Sequence, residues 1–230
     1  MNDQIVDALQ GHDADYVEAR FEHGDSTSIS YRDGVLEGVD RTCFGGGSVR
    51  AFVRGGWGFV TFDDVHDLRD RATLAVSQAR LSSGQPLSLP ESATVTDSVE
   101  VRVGHDATRV PLEHKKALLD EYNDIMLRTG NVRNARIDYH DAWKRTLFAS
   151  SSGHYIEQTR PDLSLRLTAI ARRDNEVQQA GLSLGSGGDF SAVEGRHDQV
   201  RDLAKRASAL LSAGQVKGGE YTVIVDPVLA

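Results

Sequence analysis

The sequence is poor in cysteine and contains no long apolar run. Cys43 is the only cysteine in 230 residues, so disulfides within the chain are excluded and a reducing compartment is favoured. No segment approaches the roughly 20 consecutive apolar residues of a membrane-spanning helix. Residues 1–4 are not the basic start of a secretory signal. We therefore expect a cytoplasmic protein that makes no membrane contact.

Positive charge is also scarce. The chain has 26 Lys and Arg residues against 34 Asp and Glu residues, which gives a formal net charge of −8. The densest basic pairs, at 172–173 and 205–206, are flanked by acidic or apolar residues. Proteins that bind duplex DNA normally present a basic face, so the composition argues against a nucleic-acid partner. An acidic chain can still carry a local basic patch, and that alternative stays open.

The remaining composition is typical of a globular protein, with 39% hydrophobic and 26% charged residues. A chain of this length forms one large domain or two small ones and buries roughly 70% of the surface that it exposes when unfolded.

The first half of the chain predicts a helix, a sheet and two further helices. Ile5, Val6 and Leu9 share one face of a short opening helix. Alternating apolar and polar residues then predict an antiparallel meander, with a hairpin turn at Asp33-Gly34. The predicted strands are 15–21, 27–31, 35–39, 49–53 and 57–62, and the predicted helices that pack on them are 65–81, capped by Asp63-Asp64, and 112–127. We assign residues 1–130 to an N-terminal α+β domain.

The second half of the chain predicts another mostly antiparallel sheet with one helix. The predicted strands are 132–141, 146–149, 155–160, 163–172, 177–184 and a final 221–225, and the predicted helix is 199–211. Segregated strands and helices favour an α+β fold over a doubly wound parallel sheet. We assign residues 131–230 to a middle β-rich domain. Because an apolar strand closes the chain, we expect this domain to be truncated.

The residues alone predict no catalytic or metal site. None of the eight histidines belongs to a His-x-x-x-His, His-Glu-x-x-His or Cys/His cluster. Cys43 is either a thiol nucleophile or, as we favour, a small half-buried residue beside a glycine turn. The glycine runs 45–47 and 185–188 either bind phosphate or, as we favour, form turns or bulges. Ser150–152 lack the Gly-x-Ser-x-Gly context of a nucleophile elbow.

Residues 15–64 resemble the N-terminal domain of the TldD/PmbA family, whose members are often labelled modulators of DNA gyrase. The similar features, in order, are Tyr16, Glu18 and Arg20, Asp33-Gly34 with Leu36-Glu37, the run from Gly45 to Arg50, and Gly58-Phe59-Val60-Thr61. The segments 151–153 and 179–190 are similar to the family's middle region, and the closing segments 203–210 and 218–227 resemble the family again. The 58–61 segment favours the TldD branch over the PmbA branch.

This resemblance implies a zinc-dependent peptidase that acts on unfolded or extended peptides. It also implies a homo-oligomer or a hetero-oligomer with a family paralogue. The family's metal ligands, a His-Glu-x-x-x-His helix and a later cysteine, are not among these 230 residues. We therefore expect zinc only in the full-length protein, with its motif beyond residue 230, and an inactive isolated chain.

Two other functions remain open from the sequence. In one, the chain is a non-catalytic scaffold subunit, similar to PmbA or TldE, which guides substrate or binds a catalytic partner. In the other, it is a DNA- or gyrase-binding module, a role that rests on the family label and conflicts with the net charge.

The hairpin of residues 45–62 is the predicted peptide-binding element. A glycine-rich sheet edge lets an extended peptide approach closely and pair with the backbone. Arg50 and Arg54 would pair with acidic side chains or a terminal carboxylate, and Trp57 and Phe59 would contact the bound strand. The alternative is that the glycines form turns and the aromatic rings fill the core.

Overall fold

The computed structural model describes residues 2–63, 67–82, 84, 87–90, 92–214 and 217–225. Its α-helices are α1 (Asn2–Leu9), α2 (Leu68–Ser82), α3 (Leu112–Leu127) and α4 (His197–Leu210). Its strands are β1 (Tyr16–Arg32), β2 (Val35–Val53), β3 (Gly56–Phe62), β4 (Thr96–Glu100), β5 (Val132–Ser150), β6 (Tyr155–Arg173) and β7 (Glu176–Ser186). Two 3-10 turns, Ala107–Arg109 and Phe190–Ala192, complete the described elements.

The seven strands form one sheet in the order β3-β2-β1-β5-β6-β4, with β7 also paired to β6. Every pairing is antiparallel except the parallel one between β4 and β6. The predicted α+β class, a mostly antiparallel sheet packed by helices, is confirmed. Because β1 pairs with β5 along its length, from Glu18↔Ser150 to Arg32↔Arg136, the two predicted groups of strands are hydrogen-bonded to each other.

The helices pack on one face of this sheet in two groups. Near one end, α1 and α2 cover a core that includes Val17 and Val49; near the other, α3 and α4 cover a core that includes Ile29 and Leu165. Val17 and Ile29 lie an even number of residues apart on β1, so both cores lie on the same face of the sheet. We call this the inner face. The opposite face, formed by the even-numbered residues of β1, β5 and β6, is the outer face.

Strands predicted as separate pairs are continuous in the structure. The predictions 15–21 and 27–31 both fall in β1, 132–141 and 146–149 in β5, and 155–160 and 163–172 in β6. The centre of each strand lies between the two cores and is mostly polar, although β5 carries Trp143 there. Sequence alternation therefore fades there, although the backbone ladder continues.

The first glycine run is not a turn or bulge, and that prediction is wrong. Gly45, Gly46 and Gly47 lie inside β2, opposite residues 21–23 of β1. A Cβ on Gly47 would lie 2.6 Å from the Arg20 carbonyl oxygen and 2.4 Å from the Phe62 ring. Glycine is required at that position because backbone and ring approach it closely.

Helix α2 buries the residues that its spacing predicts, and two other predictions need correction. The confirmed buried positions are Leu68, Ala72, Ala75, Val76 and Ala79.

The predicted strand 221–225 is wrong: these residues have no strand structure and Ile224 is 96% exposed. No described strand pairs with them, and an isolated strand has no ladder to stabilise it. Strand β4 was not predicted, because its sequence is polar and its conformation depends on pairing with β6.

Two further predictions, on the cap of α2 and on the domain boundary, are neither confirmed nor corrected. The predicted cap Asp63-Asp64 and the start of the helix at residue 65 lie partly outside the described residues. The division of the chain at residue 130 stays a prediction. None of the helices in the described ranges combines the length and apolarity that a bilayer crossing requires.

Candidate functional site

Three of the four predicted peptide-binding residues lie together on the outer face of the β2–β3 hairpin. Arg50 is directly opposite Phe59 in the ladder, and its guanidinium carbon lies 4.6 Å from the centre of the Trp57 ring. This is cation–π geometry, which contributes about 0.5–1 kcal/mol at exposed sites. Trp57 is 41% and Phe59 54% exposed, so neither ring is a core side chain.

A buried carboxylate holds Arg50 in place. Arg50 Nε lies 3.0 Å from Glu18 Oε1, and the Glu18 side chain is only 6% exposed. The Tyr16 hydroxyl donates to Glu18 Oε2 at 2.9 Å. Burial, followed by the charge of Glu18, raises the pKa of Tyr16 to about 12. Arg20 Nε also lies 3.5 Å from Glu18 Oε1, so Arg50 and Arg20 together neutralise Glu18, and Arg50 faces Trp57 as well. The sequence pattern did not reveal this role.

Arg54 lies in the β2–β3 turn, apart from the strand positions of the other three residues. Its backbone has a φ of 45°, and its N–H donates to Asp15 Oδ2 at 2.6 Å. Within the described ranges, its side chain makes no ion pair or hydrogen bond with Arg50, Trp57 or Phe59. The backbone role of this residue is therefore clear, and its predicted contact with peptide stays a prediction.

Helix α2 covers part of the free edge of β3. Gln78 Oε1 accepts from the Phe59 N–H at 3.2 Å, and Ser82 Oγ donates to the Trp57 carbonyl at 3.1 Å. Gly58 permits this packing, since a Cβ there would lie 1.9 Å from the Ala75 carbonyl oxygen. A peptide strand added at this edge would need these two backbone groups, and both are already hydrogen-bonded to α2. The hairpin can contact a peptide best through the side chains of its outer face.

A cleft of about 760 Å³ lies on the inner face beside the start of α3. Sheet residues Asp25, Asp141 and Trp143 line it, together with residues 100–103 and the first turns of α3. Lys115 Nζ lies 2.5 Å from Asp141 Oδ2, and the two side chains are 3% and 2% exposed. Nothing in the sequence pattern indicated this buried ion pair, because its members are 26 residues apart on different elements.

Tyr139 is buried beside this ion pair. The Lys115 ammonium lies 5.7 Å from the centre of its ring. Burial and the neighbouring Asp141 raise the pKa of the Tyr139 hydroxyl far above its usual range. The hydroxyl therefore stays protonated beside the Lys115–Asp141 ion pair.

Possible metal donors do not converge in the described part of the chain. No three His, Cys, Asp or Glu side chains there are arranged to hold a metal ion. His105 Nδ1 and His114 Nε2 contact different oxygens of Glu194, at 3.2 and 3.1 Å, and both rings pack on Phe190. Glu194 bridges the two imidazoles, and this set is not arranged to hold a metal ion.

Cys43 is exposed on β2 rather than half-buried beside a turn, which corrects the sequence prediction. Its thiol donates to Asp25 Oδ1 at 2.8 Å. This hydrogen bond and the charge of Asp25 raise the pKa of the Cys43 thiol. The thiolate is therefore disfavoured, which is opposite to the requirement for a catalytic cysteine.

Comparison with known families identifies the chain. Residues 17–82 match the PmbA/TldA metallopeptidase domain 1, and residues 105–212 match the PmbA/TldA metallopeptidase central domain. The chain belongs to the TldD/PmbA family. The predicted resemblance is thus confirmed over both halves of the sequence.

Individual relatives agree with this TldD/PmbA assignment. A Synechocystis metalloprotease is 33% identical over 218 residues, covering 94% of this chain and 47% of that protein. A metalloprotease of Methanocaldococcus jannaschii is 25% identical over 222 residues, covering 94% and 49%. The chain thus spans about half the length of the curated relatives it matches.

Two solved structures share the fold of this TldD/PmbA chain. A proposed modulator of DNA gyrase from Bacteroides thetaiotaomicron gives a TM-score of 0.72 at 15% identity, covering 94% of this chain and 50% of that one. TldE from Thermococcus kodakarensis gives a TM-score of 0.66 at 13% identity, covering 92% and 45%.

Proposed function

We propose that this chain is the peptide-handling part of a cytoplasmic, TldD-like zinc peptidase that acts on unfolded or extended peptides. The main support for this proposal is the contrast between the family matches of the chain and its metal-donor residues. The chain matches two metallopeptidase domains, yet its described residues contain no convergent metal-donor set. The chain spans about half of its curated relatives, which supports our proposal that the zinc ligands lie in the remainder of the protein. This chain would then position substrate.

The outer face of the hairpin supports a role in binding peptide. Glu18 and Trp57 hold Arg50 in one orientation, so little side-chain entropy is lost when a ligand contacts it. The exposed rings of Trp57 and Phe59 offer apolar contact area beside this cation. Such a surface accepts many side chains and a peptide carboxylate, as broad specificity for unfolded chains requires.

Binding of a fluorescein-labelled unfolded peptide, measured by anisotropy, tests this role. We expect Trp57→Ala and an Arg50→Ala/Arg54→Ala double variant each to weaken binding by at least about fivefold, or roughly 1 kcal/mol. Arg172→Ala is the matched control, because Arg172 is an exposed arginine on β6 outside the hairpin. Unchanged binding by both hairpin variants, with their melting temperatures preserved, would refute a recognition role for the hairpin.

The alternative function is a scaffold subunit that guides substrate to a catalytic paralogue. The fold similarity to TldE fits this scaffold role as well as it fits the peptidase role. The two differ in the complete protein: a peptidase binds zinc and cleaves peptide alone, whereas a scaffold becomes part of an active enzyme only when its paralogue is added. A zinc and cleavage assay on the complete protein, with and without the paralogue, separates them.

A further inference from the structure

The outer face of the sheet carries a surplus of positive charge, although the formal net charge of the chain is −8. On β5 and β6, basic side chains outnumber acidic ones at the even-numbered, outward positions. The basic ones are Arg136, Lys144, Arg160, Arg166 and Arg172, and the acidic ones are Asp138 and Asp162. Because the described helices pack on the inner face, these charges border solvent and are accessible to an anionic ligand.

Two of these arginines have no partner for their guanidinium groups. Asp138 lies directly opposite Arg166 in the ladder, but its Oδ1 accepts from Arg32 Nη2 at 2.6 Å, on the other side of β5. Glu37 is also 3.5 Å from Arg32 Nε. Arg136 lies directly opposite Arg32, an unfavourable arrangement of like charges. In the part of the chain that the structure describes, the side chains of Arg136 and Arg166 make no hydrogen bond or ion pair. Three arginines against two carboxylates leave this cluster positive.

The two unpaired arginines are close enough to bind one ligand. Arg136 pairs with Thr168, which is two residues from Arg166 on the same face of β6. Diagonal neighbours of this kind have Cβ atoms about 7 Å apart, within the reach of two arginine side chains. In the absence of an anion their positive charges repel each other. An oxyanion between them would accept hydrogen bonds from both guanidinium groups and remove that repulsion.

A groove of about 360 Å³ adjoins Arg166 on this face. The hydroxyl groups of Ser30, Ser164 and Ser183 line it, and none of them has a hydrogen-bond partner among the residues that the structure describes. Gly185 lies opposite Ser164 on β7 and adds no side chain beside it. A hydroxyl can donate to an anionic oxygen. The groove therefore places three hydroxyl donors beside an unpaired guanidinium group.

This set of donors suits a phosphate group better than a carboxylate. A phosphomonoester has three terminal oxygens and a charge of about −1.5 to −2 at pH 7, whereas a carboxylate has two oxygens and one charge. A guanidinium group can donate two parallel hydrogen bonds to phosphate oxygens, and the serine hydroxyls can donate to the others. The volume of the groove is at the lower end of the range for small-molecule sites, roughly 300–1,000 Å³, which indicates a small ligand.

We propose that Arg136, Arg166 and the adjoining serine groove bind the phosphate group of a small phosphorylated molecule. This site goes beyond the proposed peptide-binding function and lies far from the hairpin. Ser30 is twelve residues from Glu18 on β1, a distance of about 40 Å at 3.3 Å per residue. A bound phosphate would therefore leave the peptide-binding surface of the hairpin accessible. The source of the phosphate is either the free ion or an ester.

Isothermal titration calorimetry of the purified chain, at constant ionic strength, tests this site. The probes are inorganic phosphate and glycerol 3-phosphate, with acetate for comparison. Arg136→Gln/Arg166→Gln removes both unpaired guanidinium groups and keeps polar side chains. Arg160→Gln/Arg172→Gln is the matched control, because it removes the same charge from the same face of β6 and neither residue lines the groove.

We expect the Arg136→Gln/Arg166→Gln variant to bind both phosphates at least about tenfold more weakly than the wild type. The control variant should stay within about twofold of the wild type, because neither of its residues contacts the groove. Ser164→Ala/Ser183→Ala changes no charge and should weaken binding by about threefold or more through lost hydrogen bonds. Acetate should bind the wild type at least about tenfold more weakly than either phosphate. Tighter binding of the ester than of the free ion would identify an ester as the ligand, and the reverse order would identify the free ion.

Several results would overturn the proposal. One is a wild-type chain that shows no saturable binding of either phosphate, and another is acetate binding as tight as phosphate binding. Equal losses in the two arginine variants would show that only the total charge of the face matters. If a twelve-nucleotide single-stranded RNA binds at least about tenfold more tightly than glycerol 3-phosphate and the control variant also weakens it, the whole outer face binds a polyanion instead. None of these results bears on peptide binding by the hairpin.

Discussion

Lys115 on α3 and Asp141 on β5 form an ion pair with almost no solvent exposure, and both residues line the inner-face cleft. Each charge is compensated by the other in a region where an unpaired charge is strongly unfavourable. The pair therefore joins the helix layer to the sheet.

Breaking this pair should be far more destabilising than breaking an exposed one. Lys115→Met leaves Asp141 buried and uncompensated, so we expect urea unfolding to show a loss of about 3–5 kcal/mol. Lys116→Met removes the half-exposed partner of Asp120 on the same helix and should cost at most about 1 kcal/mol. A Lys115→Met/Asp141→Leu double variant should recover most of the stability. Equal losses in the two single variants would show that burial of the pair has no energetic consequence.

The contact between β3 and α2 depends on the absence of a side chain at Gly58. Gly58→Ala places a Cβ 1.9 Å from the Ala75 carbonyl oxygen and 2.6 Å from the Ala79 nitrogen, so the helix must move. We expect thermal or urea unfolding to show a loss of about 1–3 kcal/mol. Gly45→Ala is the control, because its Cβ would make only ordinary contact at 3.5 Å. A stable Gly58→Ala protein would mean that the helix packs less closely than described.

The Tyr16–Glu18 contact predicts a specific alkaline transition. Burial and Glu18 raise the pKa of Tyr16 to about 12, above the usual value of 10, so the folded state favours the protonated phenol. Its contribution to stability is complete below pH 10 and is lost as pH rises from about 10 to about 12. The ultraviolet titration of the wild type minus that of Tyr16→Phe should show one phenol ionising near pH 12. An ionisation near pH 10 in that difference would contradict the contact.

The sequence predicted those parts of the fold that hydrophobic spacing controls. The face of α2, the helix between Pro111 and Gly130, and the hairpin at Asp33-Gly34 all correspond to described elements, because each has a local apolar or turn signal. Strand β4 has no such signal. Its conformation comes from hydrogen bonds to β6, a partner about 60 residues away.

The candidate site was predictable only where its residues are close in sequence. Arg50, Trp57 and Phe59 lie on one hairpin, so their proximity follows from its turn. The ion pair between Arg50 and Glu18 depends on the register of β1 against β2, and the one between Lys115 and Asp141 depends on how α3 packs on β5. No local pattern encodes such a pairing, and the same limit applies to the two histidines that meet at Glu194.

Zinc content is the most direct measurement of the central claim that this chain handles peptide while the metal ligands lie elsewhere in the protein. The purified 230-residue chain would be washed with chelator, dialysed against excess zinc, freed of unbound metal, and analysed by mass spectrometry against protein concentration. The account predicts far less than one zinc per chain. One tightly bound zinc per chain would contradict it and would place a metal site within these residues.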